Sequence, residues 1–126
     1  MEQEILLPLL DQWESVYKKG LLTFWLLLLL HERPMYVFEM GHELDAVSRG
    51  TTTADEKSLY RALRRFEATG LVASTWQPSE VGPRRRYYQL TELGAELLRR
   101  FARRNILIFQ EPSVARRLDA LLQAGD

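Results

Sequence analysis

The spacing of apolar residues in the first third of the chain predicts two consecutive helices. Residues 3–17 carry apolar side chains at three- and four-residue intervals, the pattern of an amphipathic helix. Residues 21–30 are almost wholly apolar, which indicates a helix buried on most sides and ended by Pro34. We expect Gly20 to separate the two helices, and Pro8 to lie in a first turn or at a kink.

The apolar run at residues 21–30 is too short to cross a membrane. Ten residues of helix rise about 15 Å, half the thickness of a bilayer core. Charged or titratable residues bound the run closely: Lys18, Lys19, His31, Glu32 and Arg33. A signal peptide would carry such a run nearer the start of the chain and would follow it with small residues, and neither is the case here. We therefore expect a core helix and no membrane partner.

Two more helices are predicted between residues 36 and 70, separated by a polar loop. The first covers about residues 36–47. The second begins near Thr53, which with Glu56 three residues later fits a capping box, while Asp55 is the alternative N-cap. Gly70 is expected to end this helix as its C-terminal cap.

The helix that precedes Gly70 has one apolar face and one cationic face. Its apolar residues are Leu59, Ala62, Leu63 and Phe66. Its cationic residues are Lys57, Arg61, Arg64 and Arg65. No acidic residue shares the cationic face, whereas a helix stabilised by surface pairing interleaves the two signs. Four unopposed cations repel one another, so this face is best explained by an anionic ligand.

A β-hairpin is predicted directly after that helix. Residues 71–76 and 84–90 are rich in β-branched and aromatic side chains, and Pro and Gly punctuate the turn between them. Three arginines follow the turn directly: Arg84, Arg85 and Arg86. A basic helix followed by such a hairpin is the layout of a winged helix, in which the helix enters the major groove and the hairpin follows the backbone or the minor groove. The arginines could alternatively protect an edge strand from aggregation.

The C-terminal segment predicts a long helix that needs a partner. It begins after Thr91 as N-cap and runs toward Phe109, and a short helix follows from Pro112. The stripe along the long helix is too apolar for an isolated surface helix. We assign dimerisation to Leu97, Phe101, Asn105, Ile108 and Phe109.

The predicted fold class is mainly α with a small β-hairpin. It comprises a winged helix-turn-helix domain with an N-terminal helix and a C-terminal dimerisation helix. The boundaries are residues 1–19 for the N-terminal extension, 20–91 for the DNA-binding domain and 92–126 for the dimerisation helix and tail helix.

Charge becomes informative only when the chain is divided. The 126 residues carry no net charge, which by itself argues against a nucleic-acid partner. Residues 1–50 hold four basic and eight acidic residues, so the remainder carries a net charge of plus four. Between Lys57 and Arg86 seven basic residues face only two acids, the footprint expected of phosphate contacts. The absence of cysteine suits a reducing compartment, so we expect a cytoplasmic protein.

No residue pattern indicates an enzyme, a metal or a cofactor. The chain has two histidines and no cysteine, and its Ser and Thr residues lack a base at a defined spacing. Glu39 and His42 resemble half of a carboxylate metal motif that has no second copy. Trp13, Trp25 and Phe101 are a candidate effector pocket, although aromatic residues at helical spacing usually form core. A winged-helix adaptor that binds protein instead of DNA is the alternative function.

Three stretches of this sequence resemble the PadR-like family of winged-helix transcriptional regulators. They are LLLLL at residues 26–30 with YVFEM at 36–40, SLYRALRRFEATGLV at 58–72, and GPRRRYYQLT at 82–91 with Gly94. The resemblance covers about residues 20–98. It implies a homodimer on a two-fold-related operator, usually a repressor released by a small molecule.

The resemblance also implies roles for particular residues. It assigns Lys57, Ser58, Tyr60, Arg61 and Arg64 to the recognition helix, and Arg84, Arg85 and Arg86 to the wing. Two positions depart from the family. Val37 stands where the family usually has Gly, which implies different packing of that helix. Asn105 stands where the multidrug-binding branch has a Trp that stacks on drugs, which argues against that mode of effector binding.

Overall fold

The structure is a computed structural model that describes residues 2–124. Its elements are α1 (Glu2–Glu32), α2 (Val37–Val47), α3 (Glu56–Ala68), β1 (Val72–Gln77), β2 (Arg85–Leu90), α4 (Glu92–Asn105), a 3-10 turn (Leu107–Gln110) and α5 (Pro112–Ala124). The two strands form an antiparallel hairpin. The prediction of a mainly α fold with a small β-hairpin is confirmed. The chain forms two compact units, the first ending at Ala95 and the second beginning at Glu96.

Helix α1 is continuous over 31 residues, so the predicted break at Gly20 is wrong. A glycine inside a helix costs only about 0.5–1 kcal/mol relative to alanine. The leucines and charged residues on both sides are good helix formers and offset that cost. Pro8 lies inside the helix, beyond its first turn.

The core of the first unit lies where the C-terminal half of α1 meets α2, α3 and the hairpin. Its most buried side chains are Leu26, Leu27, Leu29, Met35, Met40, Leu44, Leu59 and Leu63. The predicted apolar face of α3 is confirmed, because all four of its residues are at most 4% exposed. Burial of this face fixes which side of α3 points outward.

Both ends of α3 are capped. Asp55 is the N-cap, and its Oδ1 accepts the backbone N–H of Ser58 at 2.8 Å, which decides between the two predicted N-caps. The same hydrogen bond holds the pKa of the Asp55 carboxyl below its ordinary value. At the other end Gly70 adopts a φ of +82° and the N–H of Leu71 donates to the Phe66 carbonyl at 2.8 Å.

The hairpin, here called the wing together with its turn at residues 78–84, is joined to the connection between α1 and α2. The strands pair from Val72 opposite Leu90 to Gln77 opposite Arg85. Met35 forms a one-residue bridge with Tyr88: its N–H donates at 3.1 Å and its carbonyl accepts at 2.9 Å. The base of the wing is therefore held on both sides.

The start of α4 is fixed against the start of β1. Thr91 is confirmed as the cap, because its Oγ1 accepts the N–H of Gly94 at 3.1 Å and donates to the Gly70 carbonyl at 2.6 Å. A Cβ at position 94 would overlap the carbonyl oxygen of Leu71. Only glycine allows this close approach of helix and strand.

Helix α4 ends at Asn105, whereas the sequence predicted a helix running toward Phe109. The Asn105 side-chain amide donates to the Phe101 carbonyl at 3.1 Å, and such local bonding competes with helix continuation. In the second unit the 3-10 turn packs against α5, which begins at Pro112 as predicted. Among residues 2–124, none of the helices combines the length and apolar character needed to span a bilayer.

Candidate nucleic-acid interface

The outward side of α3 presents the residues that the sequence assigned to nucleic-acid binding. Lys57, Tyr60, Arg61, Arg64 and Arg65 are exposed, and Ser58 is half-buried. The opposite side of the helix is fixed in the core. The structure thus brings all six residues onto one accessible surface, here called the α3 cationic face.

The charges of the α3 cationic face are not neutralised locally. Within residues 2–124, none of its four cations forms a salt bridge. Arg61 and Lys57 contribute to the lowered pKa of Asp55 at the helix start, after its hydrogen bonds with Ser58. This face therefore retains positive charge that a phosphate backbone can neutralise.

The three wing arginines occupy three different environments. Arg84 is exposed beside the turn and, within the described residues, forms no salt bridge. Arg85 is half-buried, with its guanidinium 4.5 Å from the centre of the Tyr36 ring. Arg86 points to the other side of the strand, because neighbouring residues of a strand alternate. The three are therefore not equivalent as candidates for DNA contact.

Arg86 is held in a polar network that joins α3 to the wing, here called the Glu67 cluster. Its Nη2 donates to Glu67 Oε1 at 2.9 Å and its Nε donates to Ser74 Oγ at 3.0 Å. Ser74 in turn donates to Glu67 Oε2 at 2.7 Å. The guanidinium also lies 5.9 Å from the Trp76 ring centre and 5.4 Å from that of Tyr88. This cluster fixes the wing relative to α3.

Sequence reasoning missed the Glu67 cluster. It placed Glu67 off the cationic face of α3 but named no partner for it. Strand alternation offered a partial signal, because it separates Arg86 from Arg85. At the base of the same wing, burial raises the pKa of Tyr88, so this residue is a neutral ring at physiological pH.

The residues assigned to dimerisation lie exposed in the second unit. The exposed fraction is 45% for Leu97, 37% for Phe101, 49% for Ile108 and 53% for Phe109. Asn105 is also exposed and its amide is engaged with the Phe101 carbonyl. Exposed apolar side chains of this kind are typical of a surface that binds a partner, and the role of these residues in dimerisation stays a prediction.

The candidate effector residues on α1 are not brought together within one protomer. Trp13 and Trp25 are twelve residues apart, or about 18 Å along a helix. Trp13 is 74% exposed. Trp25 is half-buried, and its indole N–H is buried with no hydrogen-bond partner among residues 2–124. Their role in effector binding is untested.

The half-motif of Glu39 and His42 serves the structure of α2. Glu39 accepts Arg33 Nη1 at 3.2 Å and the backbone N–H of Tyr36 at 3.3 Å. The His42 ring packs edge-on against Phe38 with ring centres 4.7 Å apart. Residues 2–124 contain no group of three or more His, Asp or Glu side chains suited to a metal ion.

Solved structures that resemble this chain include PadR-like transcriptional regulators. A PadR-like regulator from Bacillus cereus is 30% identical over 83% of this chain and 94% of its own, with a TM-score of 0.62. A transcriptional regulator from Clostridium thermocellum is 25% identical over 73% of this chain and 89% of its own, with a TM-score of 0.64. Bacillus subtilis PadR, solved in complex with operator DNA, is 16% identical over 64% of this chain and 46% of its own, with a TM-score of 0.59.

The sequence itself matches the same family. Among curated proteins no sequence matches this chain. The sequence model of the transcriptional regulator PadR-like family matches residues 26–100. This range is more than half of the chain and includes α2, α3 and the wing. The winged-helix prediction is confirmed by these relatives, and the chain belongs to the PadR-like family of transcriptional regulators.

Proposed function

We propose that this protein is a homodimeric, sequence-specific DNA-binding repressor that acts in the cytoplasm. The observation that carries the proposal is the α3 cationic face, which has no salt bridge within the described residues and is flanked by the wing. A helix of this length and charge fits the major groove, and the wing then reaches the flanking backbone. Bacillus subtilis PadR, which shares this fold, was solved in complex with operator DNA, and this supports DNA as the partner.

Individual residues receive different roles in this proposal. Arg61 and Arg64, one turn apart on the exposed side of α3, read base edges or clamp phosphates in the groove. Lys57 and Arg65, at the two ends of the face, bind phosphates, while Ser58 and Tyr60 supply hydroxyl groups. In the wing, Arg84 and Arg85 contact the backbone, and Arg86 acts by holding the wing against α3.

The homodimer part of the proposal is supported by uncovered apolar surface. In α4 and the 3-10 turn the surface is formed by Leu97, Phe101, Ile108 and Phe109. A second copy would cover such faces by two-fold symmetry, and it would also place two recognition helices on a two-fold-related operator. Sedimentation showing a stable monomer at micromolar concentration would contradict this part.

The effector part of the proposal rests on the first half of α1. Leu10, Trp13, Glu14 and Tyr17 line a shallow, mostly apolar cavity of about 290 Å³. We propose that a small apolar or aromatic molecule binds there and releases the operator. Quenching of tryptophan fluorescence that is lost in Trp13→Leu would support this site, whereas quenching that survives the change would remove it.

The central test is a mobility shift on the DNA upstream of the coding region. We expect the wild-type protein to bind with a steep salt dependence, and Arg64→Ala combined with Arg85→Ala to lose roughly tenfold or more in affinity. A transcriptional reporter downstream of the same DNA should be repressed by the wild type only. Binding that ignores salt, or that survives the double change, would favour the protein-binding adaptor over a DNA-binding regulator.

A further inference from the structure

A second polar site lies beside the beginning of α3. A cavity of about 400 Å³ separates α1 from the loop between α2 and α3. Helix α1 contributes Ser15, Lys18 and Lys19, which share one face because they are three or four residues apart. The loop contributes residues 50–54, and Ser58 of α3 completes the lining. The cavity therefore joins α1 to the first turn of the recognition helix.

The lining of this cavity carries two positive charges and no carboxylate. Lys18 has one exposed partner, Glu14, at 3.6 Å, and exposed pairs of this kind are weak and easily exchanged. Within residues 2–124, Lys19 forms no salt bridge. Asp55, the nearest acid along the loop, is engaged by the Ser58 N–H as helix cap. An anion entering the cavity meets two available ammonium groups.

Thr52 supplies a hydroxyl that is not engaged within the described part of the protein. Thr52 as a whole is only 6% exposed, and it lines the cavity. Its backbone N–H and carbonyl are both bonded to Ser48 Oγ, at 3.1 and 3.0 Å, but its own hydroxyl has no partner among residues 2–124. This hydroxyl is therefore available to donate to an acceptor that enters the cavity.

We propose that this cavity binds a phosphate group, held by the ammonium groups of Lys18 and Lys19 and by the hydroxyl of Thr52. Phosphate offers several acceptor oxygens and up to two negative charges, which matches two cations beside a hydroxyl donor. The α1 wall lies outside the family match, which begins at residue 26. The phosphate belongs either to the DNA strand beside α3 or to a free phosphorylated small molecule.

Inorganic phosphate is the first probe. We expect the thermal midpoint of the full chain to rise more in sodium phosphate than in sodium chloride at equal ionic strength and pH. The extra rise should disappear in Lys18→Gln/Lys19→Gln and shrink in Thr52→Val. It should persist in Arg116→Gln/Arg117→Gln, which removes two exposed charges from α5. Because phosphate also stabilises proteins by general exclusion, an equal rise in the wild type and the double lysine variant would overturn the site.

The salt dependence of DNA binding then identifies the source of the phosphate, an arm that rests on the proposed function. If the site takes a DNA phosphate, Lys18→Gln/Lys19→Gln should lower the log–log salt slope by about 1 to 2, and the α5 control should not. An unchanged slope together with the phosphate-specific midpoint rise assigns the site to a free ligand. A wild-type protein that shows the midpoint rise but binds no DNA would overturn the proposed function and leave the phosphate site intact.

Discussion

Helices α3 and α4 each carry four cationic side chains and an apolar stripe. Helix α3 exposes its cationic face, whereas α4 exposes part of its apolar stripe. In α3 the apolar face is at most 4% exposed, and within residues 2–124 the cations form no salt bridge. In α4 Glu96 binds Arg99 at 3.3 Å and Arg100 at 3.1 Å, while Leu93 and Leu97 are 58% and 45% exposed.

The difference teaches that composition alone does not assign a partner to an amphipathic helix. Helix α3 uses its apolar face inside its own fold and presents unneutralised charge, which suits an anion. Helix α4 neutralises part of its charge at three- and four-residue spacing and presents apolar area, which suits an apolar partner. Four changes to these helices and their contacts break or sharpen the comparison.

The largest effect is expected from truncating the apolar faces. Leu63→Ala removes a fully buried side chain of α3 and should lower the free energy of unfolding by about 2–5 kcal/mol. Leu97→Ala removes a side chain of α4 that is nearly half exposed and should cost about 1 kcal/mol or less. Urea unfolding at several protein concentrations measures both values.

Dilution separates the two roles further. If Leu97 is covered by a second copy, the cost of Leu97→Ala should change with protein concentration, whereas that of Leu63→Ala should not. A small cost for Leu97→Ala that does not change with protein concentration would mean that the exposed stripe of α4 has no partner.

The next effect concerns the charges. Arg61→Gln/Arg64→Gln should lower DNA affinity by roughly tenfold or more, since each base contact is worth about 1–3 kcal/mol. The matched variant Arg99→Gln/Arg100→Gln removes two equal charges from α4. It should change affinity by less than about twofold, because salt screens charges that do not contact the DNA. Fluorescence anisotropy at fixed salt compares them. Similar losses in both variants would show a purely non-specific charge effect.

Local sequence patterns were sufficient for α3 and the wing. The interval from Leu59 to Phe66 identified the buried face, Gly70 identified the helix end, and the aromatic run after Arg86 identified a strand. Each of these signals acts over a few neighbouring residues. The cationic face of α3 could be predicted for the same reason, because one helix defines it completely.

Contacts between distant residues could not be predicted. Arg86 and Glu67 are nineteen residues apart, and their meeting depends on how the wing packs on α3. The continuity of α1 through Gly20 was missed because a helix-breaking preference of about 1 kcal/mol is easily overridden by its neighbours. The cavity beside Thr52 joins two segments more than thirty residues apart, so no local pattern reveals it.

A smaller effect is expected from breaking the Glu67 cluster, in which an acid of α3 is paired. Glu67→Gln keeps the size of the side chain but weakens its bond to Arg86, so the wing should lose its fixed position. We expect affinity for DNA to fall severalfold while the salt slope stays the same. Arg84→Gln is the control, and it should lower the slope by about 1 as a lost phosphate contact. A rise of about 1 in the slope for Glu67→Gln would show instead that the freed Arg86 contacts a DNA phosphate.

The smallest effect tests whether the pairing in α4 is what distinguishes it from α3. The hydrogen bonds from Arg100 and Arg99 hold the pKa of the Glu96 carboxyl below its ordinary value of 4.5. Because its folded-state pKa is depressed, the Glu96 carboxylate stabilises the fold at pH values above 4.5. This stabilisation is lost as the pH falls through the folded-state pKa. Glu96→Gln should therefore lower the thermal midpoint slightly at pH 7, and the difference from the wild type should vanish in acid below pH 4.5.

DNA affinity provides the second readout for Glu96→Gln. The change frees two arginines and makes the charge of α4 resemble that of α3, but it leaves the apolar stripe exposed. If position in the fold decides the partner, affinity for the specific site should change by less than about twofold, with only a slight rise in non-specific binding from the added net positive charge. The opposite outcome is a rise in specific affinity for Glu96→Gln as large as the fall for Arg61→Gln/Arg64→Gln. It would show that unpaired charge alone is enough for a helix to bind the specific site. The difference between α3 and α4 would then lie in the pairing of their charges and not in their placement in the fold.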